Sequence, residues 1–289
     1  MTILDAMEKA KRLHREREST SQSNQPRRIV APSDTGLLKV LDDGTNAAVA
    51  GPAIGGLGRV HFDPDACERN RILYTDEQLA AEARGAAAYR LLRGRILQRA
   101  RAKDWSCLGI TSPGPGEGKT VTTVNLALAI AREKQRTVYL LDLDMRNPRT
   151  MAYLGARPSA SIAQYFSDSL AVADVLFDTD VEGLVIAGAT EPVRNASELL
   201  ATSRLDELLQ AIRRRSAGAL ILIDLPPVTS TDEALVVAPR VNALFMVASE
   251  GRTRRDALAR SMDLLSDHTV AGMILNRSSE SIGADYYSY

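Results

Sequence analysis

Cysteine is nearly absent. Cys67 and Cys107 are the only two in 289 residues, and they show neither CxxC nor Cys/His spacing. This excludes a disulfide-stapled scaffold and a thiolate metal site, and suits a reducing compartment. No apolar run approaches the ~18 residues of a membrane span, and MTILDAMEKAKRLHRERES lacks the continuous hydrophobic segment of a signal peptide. A cytoplasmic location is expected. Net charge is missing too: 36 basic residues balance 36 acidic ones, so no global field favours nucleic acid or an anionic membrane. No nucleic-acid partner is expected.

What is present is unevenly placed. Residues 3–13 carry Ile3, Leu4, Met7, Ala10 and Leu13 at helical spacing, which predicts a short amphipathic helix. From Glu18 to about Asp76 the pattern dissolves into Gly-, Pro-, Ser- and Asp-rich stretches, read as a mostly disordered linker. Residues 76–103 then predict one long helix. Its segment 81–104 holds seven basic residues against two acidic ones, a strongly basic face. At the other end three of the eight tyrosines, Tyr286, Tyr287 and Tyr289, fall in the last four positions, after the small, polar RSSESIGAD. That tail reads as flexible and exposed. The expected domains are 1–76 for helix and linker, 77–276 for a folded domain, and 277–289 for the tail.

From Ser106 onward short apolar runs alternate with amphipathic ones: CLGITS, TVYLLDLD, GLVIAGA, ALILIDLP, ALFMVAS and VAGMILN as strands, with helices at 118–134, 197–215, 232–240 and 253–267. Continuous apolar strands are buried on both faces, so the expected fold is α/β, a mostly parallel sheet covered by helices on both faces. Ligands of such sheets bind beyond the carboxyl ends of the strands. Directly after the first of these strands comes SPGPGEGKTVTT. Gly114, Gly116 and Gly118 allow backbone amides to face an anion, with Glu117 and Val121 in the same loop-to-helix turn. Lys119 reaches the phosphates, and Thr120 can ligate Mg²⁺. This is a P-loop, with Pro113 where the strict pattern has its first glycine.

The next strand ends in YLLDLDMRNP. Asp142 and Asp144, two apart on a strand, should point to one side, where a shared cation such as the magnesium of Mg²⁺·ATP would neutralise them. Asp224 closes LILIDLPP as a Walker B carboxylate. STDEAL reads as a capping box of Ser230 with Glu233, and RNASELL as Asn195 capping a helix with Glu198 three residues on. Asn276 closes the last strand and could meet a nucleobase, or serve a turn.

Taken together, GPGEGKT, LLDLDMRNP, NASELL, ILIDLPP, TDEAL and GMILN resemble the bacterial tyrosine kinases of capsule and exopolysaccharide synthesis over about residues 80–289. Chromosome-partition and septum-positioning ATPases share the fold, but their P-loop has a signature lysine where this chain has Gly114. The resemblance implies that Lys119 and Thr120 bind ATP·Mg²⁺, that Asp142 acts near the attacking hydroxyl, and that Asp144 and Asp224 help hold magnesium. It makes the tail tyrosines the autophosphorylation sites, modified by a neighbouring subunit in a ring. The family's oligomerisation helix reads Glu-x-x-Arg-x-x-Arg; here Ala87 replaces the glutamate while Arg90 and Arg93 remain. The implied partners are a transmembrane chain-length protein as activator, holding the kinase at the inner membrane, and a phosphotyrosine phosphatase. A different class of reading is a non-kinase ATPase switch that binds a membrane partner in its ATP state.

Overall fold

The computed structural model describes residues 56–167 and 169–279. The amphipathic residues 3–13, most of the linker and the three tail tyrosines lie outside them. In chain order the elements are β1 (Gly58–Arg59), α1 (Pro64–Arg69), α2 (Asp76–Ala81), α3 (Ala83–Lys103), β2 (Cys107–Thr111), α4 (Lys119–Ala131) and β3 (Val138–Asp142). Next come α5 (Thr150–Leu154), α6 (Ile162–Phe166), α7 (Val172–Val175), β4 (Phe177–Asp178), β5 (Leu184–Gly188), α8 (Ala196–Leu200) and α9 (Arg204–Arg215). The chain continues through β6 (Leu220–Asp224), α10 (Glu233–Val237), β7 (Ala243–Ser249), α11 (Arg255–Leu264) and β8 (Val270–Asn276).

The strands form one eight-stranded sheet in the order β1-β4-β5-β3-β6-β2-β7-β8. Every pairing is parallel except β4 with β5. Side chains alternate across it, as the period of two requires. Val138 and Leu140 of β3 face a core built with α3 and α4. Tyr139 and Leu141 face the opposite core with α6, α8, α9 and α10. Both faces are covered, which is why the strands read as unbroken apolar runs.

Three expectations are corrected. The helix read over 76–103 is interrupted at Glu82 (φ −105°, ψ 44°). The first piece starts at a capping box, in which Thr75 Oγ accepts from Gln78 N–H and Gln78 Oε1 accepts from Thr75 N–H. The helix read over 197–215 breaks at residues 201–203 into α8 and α9. The third correction is larger: residues 57–75 are not linker.

Val60, Phe62, Cys67 and Ile72 are buried in the α4-side core, and β1 pairs with β4 at the sheet edge. Gly155, at the end of α5 in the left-handed region (φ 62°), lets α1 come close: a Cβ there would lie 2.4 Å from Asp63 Cβ. Two residues of α4 and its end then tie down the backbone. Asn125 accepts from Leu73 N–H at 2.7 Å and donates to Arg71 O at 2.9 Å, and Arg132 donates to the carbonyls of Leu73 and Tyr74. The sparse apolar residues of this stretch had no periodicity, so it is tertiary partners on β4, α5 and α4 that make them a folded segment. Asn125→Ala should leave buried backbone groups of residues 71–73 unpaired and cost about 2–3 kcal/mol. Urea denaturation with proteolysis between residues 57 and 76 checks this; unchanged stability and unchanged cleavage would mean that Asn125 does not hold the segment.

Candidate nucleotide-binding site

The site lies at the carboxyl ends of β2, β3 and β6, the three adjacent central strands. Leaving β2, the chain makes the loop 112–118, in which Gly116 (φ 75°) and Gly118 (φ 88°) adopt left-handed conformations. The loop is braced from beneath: Thr229 Oγ donates to Pro113 O at 2.6 Å and Val228 N–H to Ser112 O at 2.9 Å. Gly118 caps α4, whose first-turn amides have no acceptor within the helix and present its positive end to the loop.

Lys119 and Thr120 begin α4 and point into a buried acidic group. Lys119 Nζ lies 2.7 Å from Asp144 Oδ2 and 3.6 Å from Asp224 Oδ1. Thr120 Oγ donates to Asp224 Oδ2 at 2.6 Å. Burial by itself would lower the Lys119 pKa, but the Asp224 and Asp144 carboxylates outweigh it and hold the ammonium above its usual value.

Asp142 and Asp144 both feel the charge of Lys119 but differ in their hydrogen-bond partners. The strand ends at Asp142 and the chain turns, so the two carboxylates take different company. Asp142 is fully buried and accepts from the N–H groups of Asp144, Arg149 and Thr150, holding the DLDMRNP turn and the start of α5. Its neighbour is Asp224, directly across in the β3–β6 register. Burial, then the Asp224 charge, pushes the Asp142 carboxyl up to about 7 against the opposing pull of Lys119. Asp224 is likewise raised, by burial first. The repelling pair is therefore formed across strands, between Asp142 and Asp224.

Magnesium takes one or two carboxylates together with waters and phosphate oxygens, so it does not need a cage of protein ligands. No group of three or more His, Cys, Asp or Glu side chains placed to hold a metal occurs among the described residues. Thr120 Oγ with Asp224, beside the buried Asp142, is an oxygen set that fits a cation arriving with a phosphate.

Asn276, read as a nucleobase contact or a turn residue, and Glu117, read with the cofactor loop, are tied to each other and to the β7–β8 strand ends. Asn276 Nδ2 donates to Glu117 O at 2.9 Å, and the Glu117 carboxylate accepts from Ser249 N–H at 3.0 Å and from Thr253 Oγ. Gly114 has open space around it: a Cβ there would meet nothing nearer than Glu117 Oε1 at 3.7 Å. Val121 is half-buried in the first turn of α4. Arg90 is exposed on α3, whereas Arg93 is committed within the chain: Nη1 donates to Ala129 O at 3.0 Å and Nε lies 2.7 Å from Glu133 Oε1. Arg93 thus has partners within the chain, while Arg90 on the same helix is exposed.

Sequence reasoning missed a second cluster beside the first. Arg146, from the DLDMRNP turn, ion-pairs with Glu233, whose side chain is 1% exposed, and Ser197 Oγ donates to Asp232 at 2.7 Å. Neither capping box forms: Asn195 makes no cap hydrogen bond, and α10 starts at Asp232 without one. Three loops far apart in sequence meet here because all follow strands whose carboxyl ends share one edge of the domain. The available signal was the opposite charges of Arg146 and Glu233 at neighbouring strand ends.

The family model for the CobQ/CobB/MinD/ParA nucleotide binding domain matches residues 108–285. Among curated relatives, the tyrosine-protein kinase CpsD of Streptococcus agalactiae is 26% identical over 155 residues, 52% of this chain and 67% of that protein. The putative tyrosine-protein kinase CapB of Staphylococcus aureus is 28% identical over 155 residues, 52% of this chain and 66% of that protein. The chain spans about a fifth of longer relatives such as EpsB of Ralstonia solanacearum. Among solved structures, the VpsO kinase domain superposes with a TM-score of 0.61 at 28% identity, covering 71% of this chain and 99% of that one. No helix among the described residues is long and apolar enough to cross a membrane. With its P-loop at the end of β2, its acidic cluster on β3 and β6 and these relatives, the chain belongs to the CobQ/CobB/MinD/ParA family of P-loop nucleotide-binding domains, among its bacterial tyrosine kinase members.

Proposed function

We propose that this chain is an ATP-dependent protein-tyrosine kinase that phosphorylates Tyr286, Tyr287 and Tyr289 of a neighbouring copy and so regulates exopolysaccharide or capsule production. The observation that carries this reading is the convergence of Lys119, Thr120, Asp142, Asp144 and Asp224 at the mouth of the P-loop, in a chain that ends in a tyrosine-rich tail. Phosphoryl transfer asks mainly for positioning and charge neutralisation, and the cluster can provide both.

In this mechanism the loop amides and the amino end of α4 bind the phosphates, and Lys119 moves its charge from Asp144 toward them. Thr120 and Asp224 would hold a magnesium ion, which supplies neutralisation of the phosphate charge. Asp142, opposite Asp224 at the strand ends, is the carboxylate placed to act near the incoming phenol once its hold on the DLDMRNP turn relaxes. The residues from Arg277 to Tyr289 span at most about 43–47 Å when extended, enough to reach an adjacent subunit. A phosphorylated tail gains about −1.5 to −2 charges per tyrosine and is repelled by the carboxylates, which returns the site to its starting state. A transmembrane chain-length protein as activator, a phosphotyrosine phosphatase and a peripheral place at the inner membrane belong to this reading.

The test is incubation of the purified protein with γ-labelled ATP and Mg²⁺, with the partner's cytoplasmic segment added, followed by phosphotyrosine mapping. Tail label that drops about a hundredfold or more when all three tyrosines become phenylalanine is the expected result. ATP turnover without tyrosine label would instead favour an ATPase switch. Ala87 in place of the family glutamate, with Arg93 bonded to Ala129 O and Glu133 within the chain, is what supports that second reading.

A further inference from the structure

The P-loop is stitched to the root of the tyrosine tail. Asn276, the last residue of β8, donates from Nδ2 to Glu117 O at 2.9 Å, and lies so near the loop that a Cβ on Gly118 would be 2.0 Å from that nitrogen. Its Oδ1 accepts from Arg277 N–H at 2.8 Å. Arg277 adopts the left-handed conformation (φ 57°), which turns the chain out of the strand. Arg277 Nη1 donates to Ser249 Oγ at 3.3 Å. Ser279 N–H then donates to Glu250 Oε2 at 2.5 Å, and Glu250 N–H donates to Asn276 O at 3.0 Å. The Ser279 bond holds the Glu250 carboxyl below its usual range. Glu117 closes the circuit through Ser249 N–H and Thr253. One amide side chain therefore touches both the peptide that would move when phosphate enters the loop and the peptide that sets the tail's direction.

We propose that Asn276 is a positioning residue that couples filling of the phosphate-binding loop to the path of the chain at Arg277–Ser279, the point from which the tyrosine tail departs. This rests on the kinase reading and adds the regulation of that site. The Glu117–Gly118 peptide is bonded directly to Asn276, which packs so closely that a Cβ on Gly118 would collide with it, so a shift of that peptide loads or breaks the Asn276 bond. Movement of Asn276 removes the Oδ1 acceptor that stabilises the turn at Arg277. By linkage the coupling is reciprocal: releasing the tail root changes nucleotide affinity by the factor with which nucleotide changes the root.

The test is hydrogen exchange at the Arg277 and Ser279 amides of the full chain, with and without saturating ADP, with saturation established by a fluorescent ADP analogue. In the natural protein ADP should change exchange at both amides by about threefold or more. Asn276→Ala and Asn276→Asp should both remove that response; the second keeps the acceptor for Arg277 but cannot donate to Glu117 O. Glu250→Ala should speed Ser279 exchange by about fivefold or more with ADP absent, since it deletes that amide's acceptor. Exchange unaltered by bound ADP, or a response that survives in both Asn276 variants, overturns the coupling and leaves the kinase reading standing. A protein that binds no ADP analogue overturns both.

Discussion

Replacing Lys119 with methionine should weaken nucleotide binding by about tenfold to a hundredfold, because a buried charge-assisted contact to phosphate is lost. On the kinase reading tail labelling should fall by about a thousandfold or more. The same substitution should also destabilise the empty protein. Lys119 is the ammonium within reach of Asp144 and Asp224, and Asp142 stands beside Asp224. Removing one member of a buried ion pair costs about 3 kcal/mol when the remaining charges cannot reach water. The loss depends on pH in a definite direction. The Asp142 and Asp224 carboxyls have folded pKa values above their unfolded ones, so their protonated forms are favoured in the native state. The deficit is small near pH 4 and grows as pH rises through the value near 7 at Asp142. Urea denaturation of Lys119→Met at pH 5 and pH 8 reads this out, and adding Asp144→Asn should recover part of the loss. Equal deficits at both pH values would mean that the ammonium does not neutralise these carboxylates.

Arg146→Ala is the second large effect. Glu233 is 1% exposed, and its second carboxylate oxygen has no hydrogen-bond partner, so the guanidinium is its main counter-charge. Truncation strands a buried carboxylate. Arg146 is itself 44% exposed, so solvent screens part of the pair and a clear loss of stability is expected that falls short of the full cost of a dry ion pair. Combining Arg146→Ala with Glu233→Gln should restore more than half of it, because the amide leaves no charge to strand. A thermal denaturation series of the single and double variants decides: strictly additive losses would show that the two side chains are not coupled.

Both effects arise at places where the sequence was legible to different degrees. Strand identity was plain because β2, β3, β5, β6 and β7 are buried on both faces and must be continuously apolar. The P-loop was plain because its glycines, Lys119 and Thr120 are contiguous, so one local segment carries the whole anion site. The Arg146–Glu233 pair was not, since local spacing offered an equally good account of Glu233 as a capping residue. A cap is a contact over three residues, whereas this ion pair closes over 87 residues of chain. Residues 57–75 failed for a related reason. Their few apolar side chains have no period, and beyond the short helix and turns of the segment itself, Asn125 and Arg132 supply the bonds that fix the backbone of residues 71–74.

By itself the sequence determined the α/β class, the phosphate-binding loop, the acidic strand ends and the tyrosine-rich terminus, because each is written in neighbouring residues through period, glycine placement or charge. Tertiary structure decided which carboxylates face one another, that Arg93 pairs with Glu133, that Asn276 braces the loop, and that the folded segment begins before residue 76. Those outcomes depend on which strands lie side by side, and a parallel sheet with its strands in the order β3-β6-β2 makes neighbours of residues about a hundred positions apart, such as Thr120 and Asp224.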